Sequence, residues 1–134
     1  MRLLINIDVP DLEAAVAFYQ AAVDLTLGRM IGDDVAELVG GSCVLYLLRN
    51  PAGSGASSAA NLIRQYTRHW TPVHIDFVVE NIDEAAKRAI RAGARQESEC
   101  VDWMGSKCIT FSDPFGHGFC LIEFVDDTYR SSTA

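Results

Sequence analysis

The first part of the chain has a pattern of apolar positions that predicts a β-strand followed directly by a helix. Ile5, Ile7 and Val9 alternate within the apolar segment 3–9, and Pro10 ends that segment. Asp11 can cap the next helix, because its carboxylate can accept hydrogen bonds from the free N–H groups of a first turn. Apolar residues then recur with helical spacing at Leu12, Ala15, Val16, Tyr19 and Val23.

The same pattern returns seventy residues later. Residues 73–79 predict a second strand, and Asn81 or Asp83 can cap a second helix. The helix positions that match those of the first helix are Ile82, Ala85, Ala86, Ala89 and Gly93. A constant offset across a strand, a cap and a helix face indicates an internal duplication.

Three shorter strands are predicted after each helix, separated by turn sequences such as Gly40-Gly41 and the type I turn 113–116. The strand candidates are 26–31, 35–39 and 42–48 in the first half, then 95–101, 107–112 and 119–125 in the second. We therefore predict an α+β fold of two tandem βαβββ modules with antiparallel or mixed sheets.

The whole chain, 1–134, is expected to form a single domain. Module one spans about 1–49 and module two about 72–126, with a C-terminal tail at 127–134. Between the modules, 50–58 has the composition of a flexible linker. Residues 59–70 place apolar side chains at helical spacing and predict a short helix.

Composition and charge argue against two kinds of binding partner, nucleic acids and membranes. The formal net charge of −7 has the wrong sign for a surface that binds nucleic acid. No apolar run is long enough to span a bilayer, and the N-terminus becomes polar too soon for a signal peptide, so we expect a cytoplasmic protein without a membrane partner. The four cysteines form no Cys-x-x-Cys pair, which argues against a zinc knuckle or a redox motif.

Two motifs carry a family resemblance. The strand followed by the Asp-Leu-Glu-Ala-Ala-Val-Ala-Phe-Tyr segment 11–19, and the Asp-Pro-Phe-Gly-His-Gly-Phe segment 113–119, resemble the vicinal oxygen chelate superfamily. That superfamily includes glyoxalase I, bleomycin-resistance proteins, fosfomycin-resistance enzymes and extradiol dioxygenases. The resemblance covers roughly residues 3–126 and implies paired modules that form a cup, a divalent metal inside it, and a homodimer.

The resemblance also indicates where metal ligands would lie, at first-strand and last-strand positions that the family fills with His, Glu or Gln. Those positions are Leu4 and His74 on the first strands and Cys120 on the last strand, with about Leu45 as its counterpart. Only His74 is a usual ligand, so we expect no metal and no other cofactor, with a divalent metal as the alternative. If a metal were bound, His74 with Glu123 would be the remaining pair.

Other side chains of the expected cup suggest ligand binding. Strand alternation puts Asn6 and Asp8 on the face of Leu4, and Asp76 on the face of His74. An enclosed carboxylate needs water, an arginine or a ligand cation. The remaining cup positions are Leu45, Trp103, Cys120, Ile122 and Phe124.

His74 and Asp76 are the candidate catalytic residues, and two interpretations remain open for them. Asp76 either tunes His74 as a general acid or base, or both residues make structural hydrogen bonds. The expected function is binding of a small organic molecule without the family metal. The alternative is a metal-dependent lyase, isomerase or dioxygenase, or a metal-free enzyme that uses His74.

Overall fold

The computed structural model describes residues 1–125, within which the chain forms two compact units that divide between Thr67 and Arg68. Each unit contains one helix and one main sheet. The strands are β1 (Leu4–Val9), β2 (Thr26–Ile31), β3 (Val35–Val39), β4 (Val44–Arg49), β5 (Gly55–Ser57), β6 (Ala60–Ile63), β7 (Ile75–Val78), β8 (Arg95–Gln96), β9 (Val101–Trp103), β10 (Ser106–Ser112) and β11 (Gly118–Phe124). The helices are α1 (Leu12–Val23) and α2 (Ile82–Ala92).

The first unit has a four-stranded sheet in the order β1-β4-β3-β2. β1 pairs with β4 in parallel and the other pairs are antiparallel. The Asp11 side chain caps α1 by accepting from the Ala14 N–H at 3.1 Å. The buried core lies on the side of the sheet that packs against α1 and comprises Val9, Leu12, Ala15, Phe18, Tyr19, Ala22, Ala36, Leu38, Leu45 and Leu47.

The second unit repeats this plan. β7 pairs with β11 in parallel, β11 pairs with β10 in antiparallel fashion, and β8 and β9 both pair with β10. Asn81 caps α2 by accepting from the Glu84 N–H at 3.1 Å, at the position equivalent to Asp11. The prediction of an α+β fold built from repeated modules is confirmed.

The strand register corrects one of the predicted pairs of positions. In the first unit Leu45 pairs with Ile5 and is buried on the side of α1, so it does not share a face with Leu4 and Asn6. Tyr46 pairs with Asn6, just as Cys120 pairs with Asp76 in the second unit. The counterpart of Cys120 is therefore Tyr46, and the assignment of Leu45 to the cup is wrong.

The predicted helix at 59–70 is also wrong, because part of this segment forms the β5–β6 hairpin. Arg64 closes the hairpin: its N–H donates to the Ser54 carbonyl and its carbonyl accepts from the Gly53 N–H, both at 2.8 Å. Leu62 and Ile63, which a helix would place on its apolar face, are 63% and 57% exposed. Helical spacing of apolar residues is weak evidence when no core receives them.

The predicted strand 95–101 is interrupted. The Glu97 N–H donates to the Thr110 carbonyl, but the Thr110 N–H donates to the Ser98 hydroxyl at 2.9 Å instead of to a backbone carbonyl. This side-chain acceptor replaces the regular ladder and separates β8 from β9. A hairpin follows Trp103, and its two turn residues, Met104 and Gly105, have φ of 51° and 78°.

The predicted tail at 127–134 and the end of module two at 126 lie outside the described residues. Within 1–125 no helix is long and apolar enough to cross a membrane.

Replacing Asn81 with alanine should lower the free energy of unfolding by about 1 kcal/mol, since the Glu84 N–H loses its acceptor. Asn81→Ser is the matched control, because a serine hydroxyl can accept at the same place. Urea unfolding followed by far-UV circular dichroism measures both. An equal loss in the two variants would contradict a capping role for Asn81.

Candidate functional site

In the first unit the predicted site carboxylate, Asp8, is held by partners of its own. Asp8 Oδ2 accepts from Arg64 Nε at 2.7 Å, and Asp8 Oδ1 accepts from the Asn50 side-chain amide at 2.8 Å. The Tyr66 hydroxyl donates to the Asn50 carbonyl at 2.7 Å and supports this arrangement. Asp8 thus has the arginine partner that an enclosed carboxylate requires, and it ties residues 50–66 to the end of β1.

In the second unit, the strand register brings the predicted site residues onto one side of the sheet. We call this side the helix-free face, because α2 lies on the other: Glu123, which alternates with Cys120 and Ile122 along β11, accepts a hydrogen bond from the start of α2. The helix-free face carries His74, Asp76, Val78, Val101, Trp103, Cys108, Thr110, Cys120, Ile122 and Phe124.

Three side chains of this face meet at its polar end. His74 Nε2 lies 3.1 Å from Asp76 Oδ1. One potential ligand atom from each of His74, Asp76 and Cys120 lies within 4.8 Å of the others. The side chains of His74 and Asp76 are 31% and 38% exposed, whereas Cys120 is buried. Among residues 1–125 no other set of three or more such side chains is assembled this closely.

The sulfur atoms on this face belong to neutral thiols. Burial is the main reason why the pKa of Cys108 is raised to about 12, with Cys120 as a further cause. The pKa of Cys120 is also raised, again first by burial, and its Sγ lies 3.5 Å from the Thr110 hydroxyl. Neither group is a ready nucleophile at neutral pH, because the thiolate is the reactive form.

A second group of residues holds an aromatic ring over His74. The Trp70 ring centroid lies 4.9 Å from that of His74, with the planes tilted by 45°. The Arg68 guanidinium lies 5.6 Å from the Trp70 ring and donates two hydrogen bonds of 2.7 Å to Glu97. The two hydrogen bonds hold the Arg68 guanidinium in place, and the guanidinium in turn makes a cation–π contact with the Trp70 ring.

Gly118 leaves the space that Arg68 needs. A Cβ atom at Gly118 would lie 2.6 Å from Arg68 Nη2, well inside contact distance. No sequence pattern indicates that Glu97 is the partner of Arg68. A glycine at the start of an otherwise apolar strand was the one available signal of close approach.

Glu123 is not a partner of His74. Its Oε1 accepts from the Ile82 N–H at the start of α2 at 2.9 Å, and its Oε2 lies 3.6 Å from Lys107 Nζ. Odd-numbered residues of β11 face α2, so Glu123 lies on the side opposite Cys120. The predicted pairing of His74 with Glu123 is therefore wrong, and the structure places Asp76 and Cys120 beside His74 instead.

His117 belongs to the turn that precedes β11. Asp113 is buried, and its Oδ1 accepts from the backbone N–H groups of Phe115 and His117 at 2.9 and 2.8 Å. This is the turn of the Asp-Pro-Phe-Gly motif, and it sets the start of the strand that carries Cys120.

The model of the Glyoxalase-like domain family matches residues 4–122. The chain belongs to this family. A search of curated proteins gives no match.

Solved structures share the fold at low sequence identity. A glyoxalase-related enzyme from Fulvimarina pelagi has a TM-score of 0.71 and 15% identity, with 92% of this chain and 87% of that chain covered. A glyoxalase/bleomycin resistance protein/dioxygenase from Nocardioides has a TM-score of 0.66 and 21% identity, covering 94% and 84%. A mutant of the fosfomycin resistance protein FosX from Listeria monocytogenes, complexed with Mn(II) and 1S,2S-dihydroxypropylphosphonic acid, has a TM-score of 0.66 and 21% identity, covering 87% and 84%.

The donor set of the second unit does not suit an ion such as the Mn(II) of the FosX complex. Carboxylate, carbonyl and water oxygens are the donors that Mn²⁺ prefers. His74, Asp76 and Cys120 offer one nitrogen, one carboxylate and one sulfur. A manganese site of the oxygen-rich kind therefore does not fit these three residues.

Gly118→Ala should displace Arg68 and shift the emission of Trp70 to longer wavelength, because the ring loses its cationic neighbour. The free energy of unfolding should fall by at most about 1 kcal/mol, since the guanidinium is the end of a flexible side chain. Fluorescence is measured in a Trp103→Phe background. Gly55→Ala, where a Cβ meets no atom within 4 Å, is the control and should change neither quantity.

The Arg68–Glu97 pair predicts a pH dependence of stability. Hydrogen bonds from Arg68 hold the pKa of Glu97 below its ordinary value of 4.5. A lowered native pKa contributes stability that is present above the unfolded-state pKa and is lost as the pH falls through the native one. Glu97→Gln should therefore cost up to about 1 kcal/mol at neutral pH, and this cost should shrink as the pH falls through the native pKa. If Glu97→Gln lowered the free energy of unfolding by the same amount at acidic and at neutral pH, the Arg68–Glu97 pair would not be the source of this stability.

Proposed function

We propose that the chain binds a small organic molecule on the helix-free face of the second unit, without an oxygen-rich metal site. One observation carries the proposal: exposed apolar side chains adjoin the polar His74–Asp76 pair. Trp70, Val78, Val101 and Trp103 are each between 43% and 60% exposed. Ligand sites commonly combine an apolar lining with a few polar groups that fix the orientation of the ligand.

The polar end supplies the orienting groups. His74, Asp76 and the Thr110 hydroxyl can form directional hydrogen bonds, and Trp70 provides a ring face above His74. Of the cup residues predicted in the first unit, Leu4 and Asn6 remain as candidates for ligand contact. Asp8 is engaged by Arg64 and Asn50, and Leu45 is buried on the side of α1.

A metal-free enzyme is the second candidate, and the 3.1 Å contact between His74 and Asp76 favours it. A carboxylate at this distance can orient the imidazole and stabilise its protonated form during proton transfer. A metal-dependent lyase, isomerase or dioxygenase remains the other enzymatic alternative within this family. Activity that is lost in His74→Ala but reduced only in part in Asp76→Asn would favour acid–base catalysis.

We also propose that the protein is cytoplasmic and that it forms a homodimer. The reason for the dimer is that sheets of short strands leave edges and apolar surface that a second copy can cover. Sedimentation equilibrium tests this directly: a dimer has twice the chain mass of 14.7 kDa. A species of 14.7 kDa at high concentration would contradict it.

The two tryptophans of the chain, Trp70 and Trp103, both belong to the second unit, so energy transfer from them reports on ligands bound there. The probe is N-phenyl-1-naphthylamine, an uncharged dye, excited through tryptophan. We expect saturable binding to the wild type. Val78→Arg should weaken it about tenfold, which corresponds to about 1.4 kcal/mol, because a charge replaces an apolar contact.

Ile90→Arg is the matched control, since Ile90 is 47% exposed on α2, away from the helix-free face. It should leave the affinity unchanged. The same two variants then classify compounds from a thermal-shift screen, because a ligand of this face stabilises Ile90→Arg but not Val78→Arg. Equal affinity in both variants would overturn the proposed location.

A further inference from the structure

A groove in the first unit contains none of the residues assigned to the proposed ligand face. It runs between α1 and β2, the edge strand of the sheet, and has a volume of about 730 Å³. Leu12, Val16, Leu27 and Met30 form its apolar part. Ligand sites commonly have volumes of roughly 300–1,000 Å³ and a mostly apolar lining. The groove therefore has the size and the lining of a second ligand site.

A β-bulge brings Met30 into this groove. Leu27 pairs with Leu38 and Met30 pairs with Ala36, because Gly28 is an extra residue in β2. Leu38 and Ala36 are buried on the side of α1, so Leu27 and Met30 face that side as well. Met30 is nevertheless 45% exposed. The bulge thus directs a flexible apolar side chain to a surface and not into the core.

The strand directions define the two ends of the groove. β2 and β4 run in the direction of β1, and α1 begins directly after β1, so the turn after β2 and the start of α1 lie at the same end. Glu13 in the first turn of α1 and Asp33 in the turn after β2 line this end. At the opposite end, Gln20 Oε1 accepts from the Leu27 N–H at 3.1 Å. The groove is therefore polar at both ends and apolar between them.

The charges at the first end favour a cationic ligand. Arg49 also lines the groove, but its Nε lies 3.1 Å from Asp34 Oδ1, so a carboxylate already balances its charge. Its Nη2 donates to the backbone carbonyl of Asp33 at 2.8 Å and not to the carboxylate. Within residues 1–125, neither the Glu13 nor the Asp33 carboxylate makes a hydrogen bond or an ion pair. Two unbalanced negative charges therefore adjoin the apolar part of the groove.

We propose that the groove binds an organic molecule with an apolar body and a protonated amine at one end. The ammonium group lies beside Glu13 and Asp33, and the body covers Val16 and Met30. Glu13 and Gln20 are seven residues apart in α1, which corresponds to roughly 10 Å along a helix, so a body of about this length fits. The proposed function does not depend on this site, because all of its residues belong to the first unit.

The experiment is a titration of ¹⁵N-labelled protein with 4-phenylbutylamine, followed through the NMR chemical shifts of the backbone amides. A molecule of this size binds with a Kd on the order of 1 mM, which suits this method. We expect saturable shifts in residues 12–20 and 26–33. The uncharged 4-phenylbutan-1-ol is the matched ligand and should bind at least threefold more weakly. This preference should fall when NaCl is added, because salt screens exposed charges.

Glu13→Gln and Asp33→Asn should each weaken binding of the amine and leave binding of the alcohol unchanged. Ala17 is an exposed residue of α1 that lines the groove, and Ala17→Arg should weaken binding of the amine at least tenfold because it adds both bulk and positive charge. Ile90→Arg is the matched control on α2 and should bind the amine like the wild type.

The two sites can be tested separately. Ala17→Arg should bind N-phenyl-1-naphthylamine like the wild type, and Val78→Arg should bind 4-phenylbutylamine like the wild type. Equal affinity for the amine and the alcohol, or shifts confined to the second unit, would overturn the proposal. Sedimentation equilibrium of Ala17→Arg tests another occupant: loss of a dimer in this variant alone would show that a second copy of the chain covers the groove, and would also overturn it.

Discussion

The parallel pairing between the first and last strands of each unit is the constraint on which the rest of the structure depends. It decides which side chains turn toward the helix and which turn away, because successive residues of a strand point to opposite faces. In the second unit this pairing sets Asp76 beside Cys120, and in the first it sets Asn6 beside Tyr46. A shift of one residue in either pair would bury the polar residues and expose the core.

Local sequence patterns were sufficient to predict the modules. Strand alternation, the caps Asp11 and Asn81 and the helix faces all lie within short segments, and the structure confirms them. The pairing of the last strand was not visible in this way. Seventy residues separate Asn6 from Asp76, but seventy-four separate Tyr46 from Cys120, because the segments between the strands differ in length. An offset of seventy therefore does not locate the counterpart of Cys120 in the first unit, and the prediction of Leu45 missed Tyr46 by one residue.

The candidate site was predictable only in part. His74 and Asp76 were found because they alternate on one strand, a relation between near neighbours in the sequence. The ion pairs within the two units join residues 29 positions apart in Arg68–Glu97 of the second unit and 56 positions apart in Arg64–Asp8 of the first. No periodicity reveals such long-range pairs, and none reveals the β5–β6 hairpin that replaces the expected helix at 59–70.

The first strands of the two units, β1 and β7, carry carboxylates with different partners. In the first unit Asp8, at the end of β1, is bound by a guanidinium and an amide. In the second unit the carboxylate is Asp76, at the position equivalent to Asn6, and it contacts an imidazole, a group that can exchange a proton. After a gene duplication, one module can be retained for its contribution to stability while the other module changes its binding residues. Substitutions at Asp8 should then be judged by folding yield, and substitutions at Asp76 by a changed range of compounds that the protein accepts.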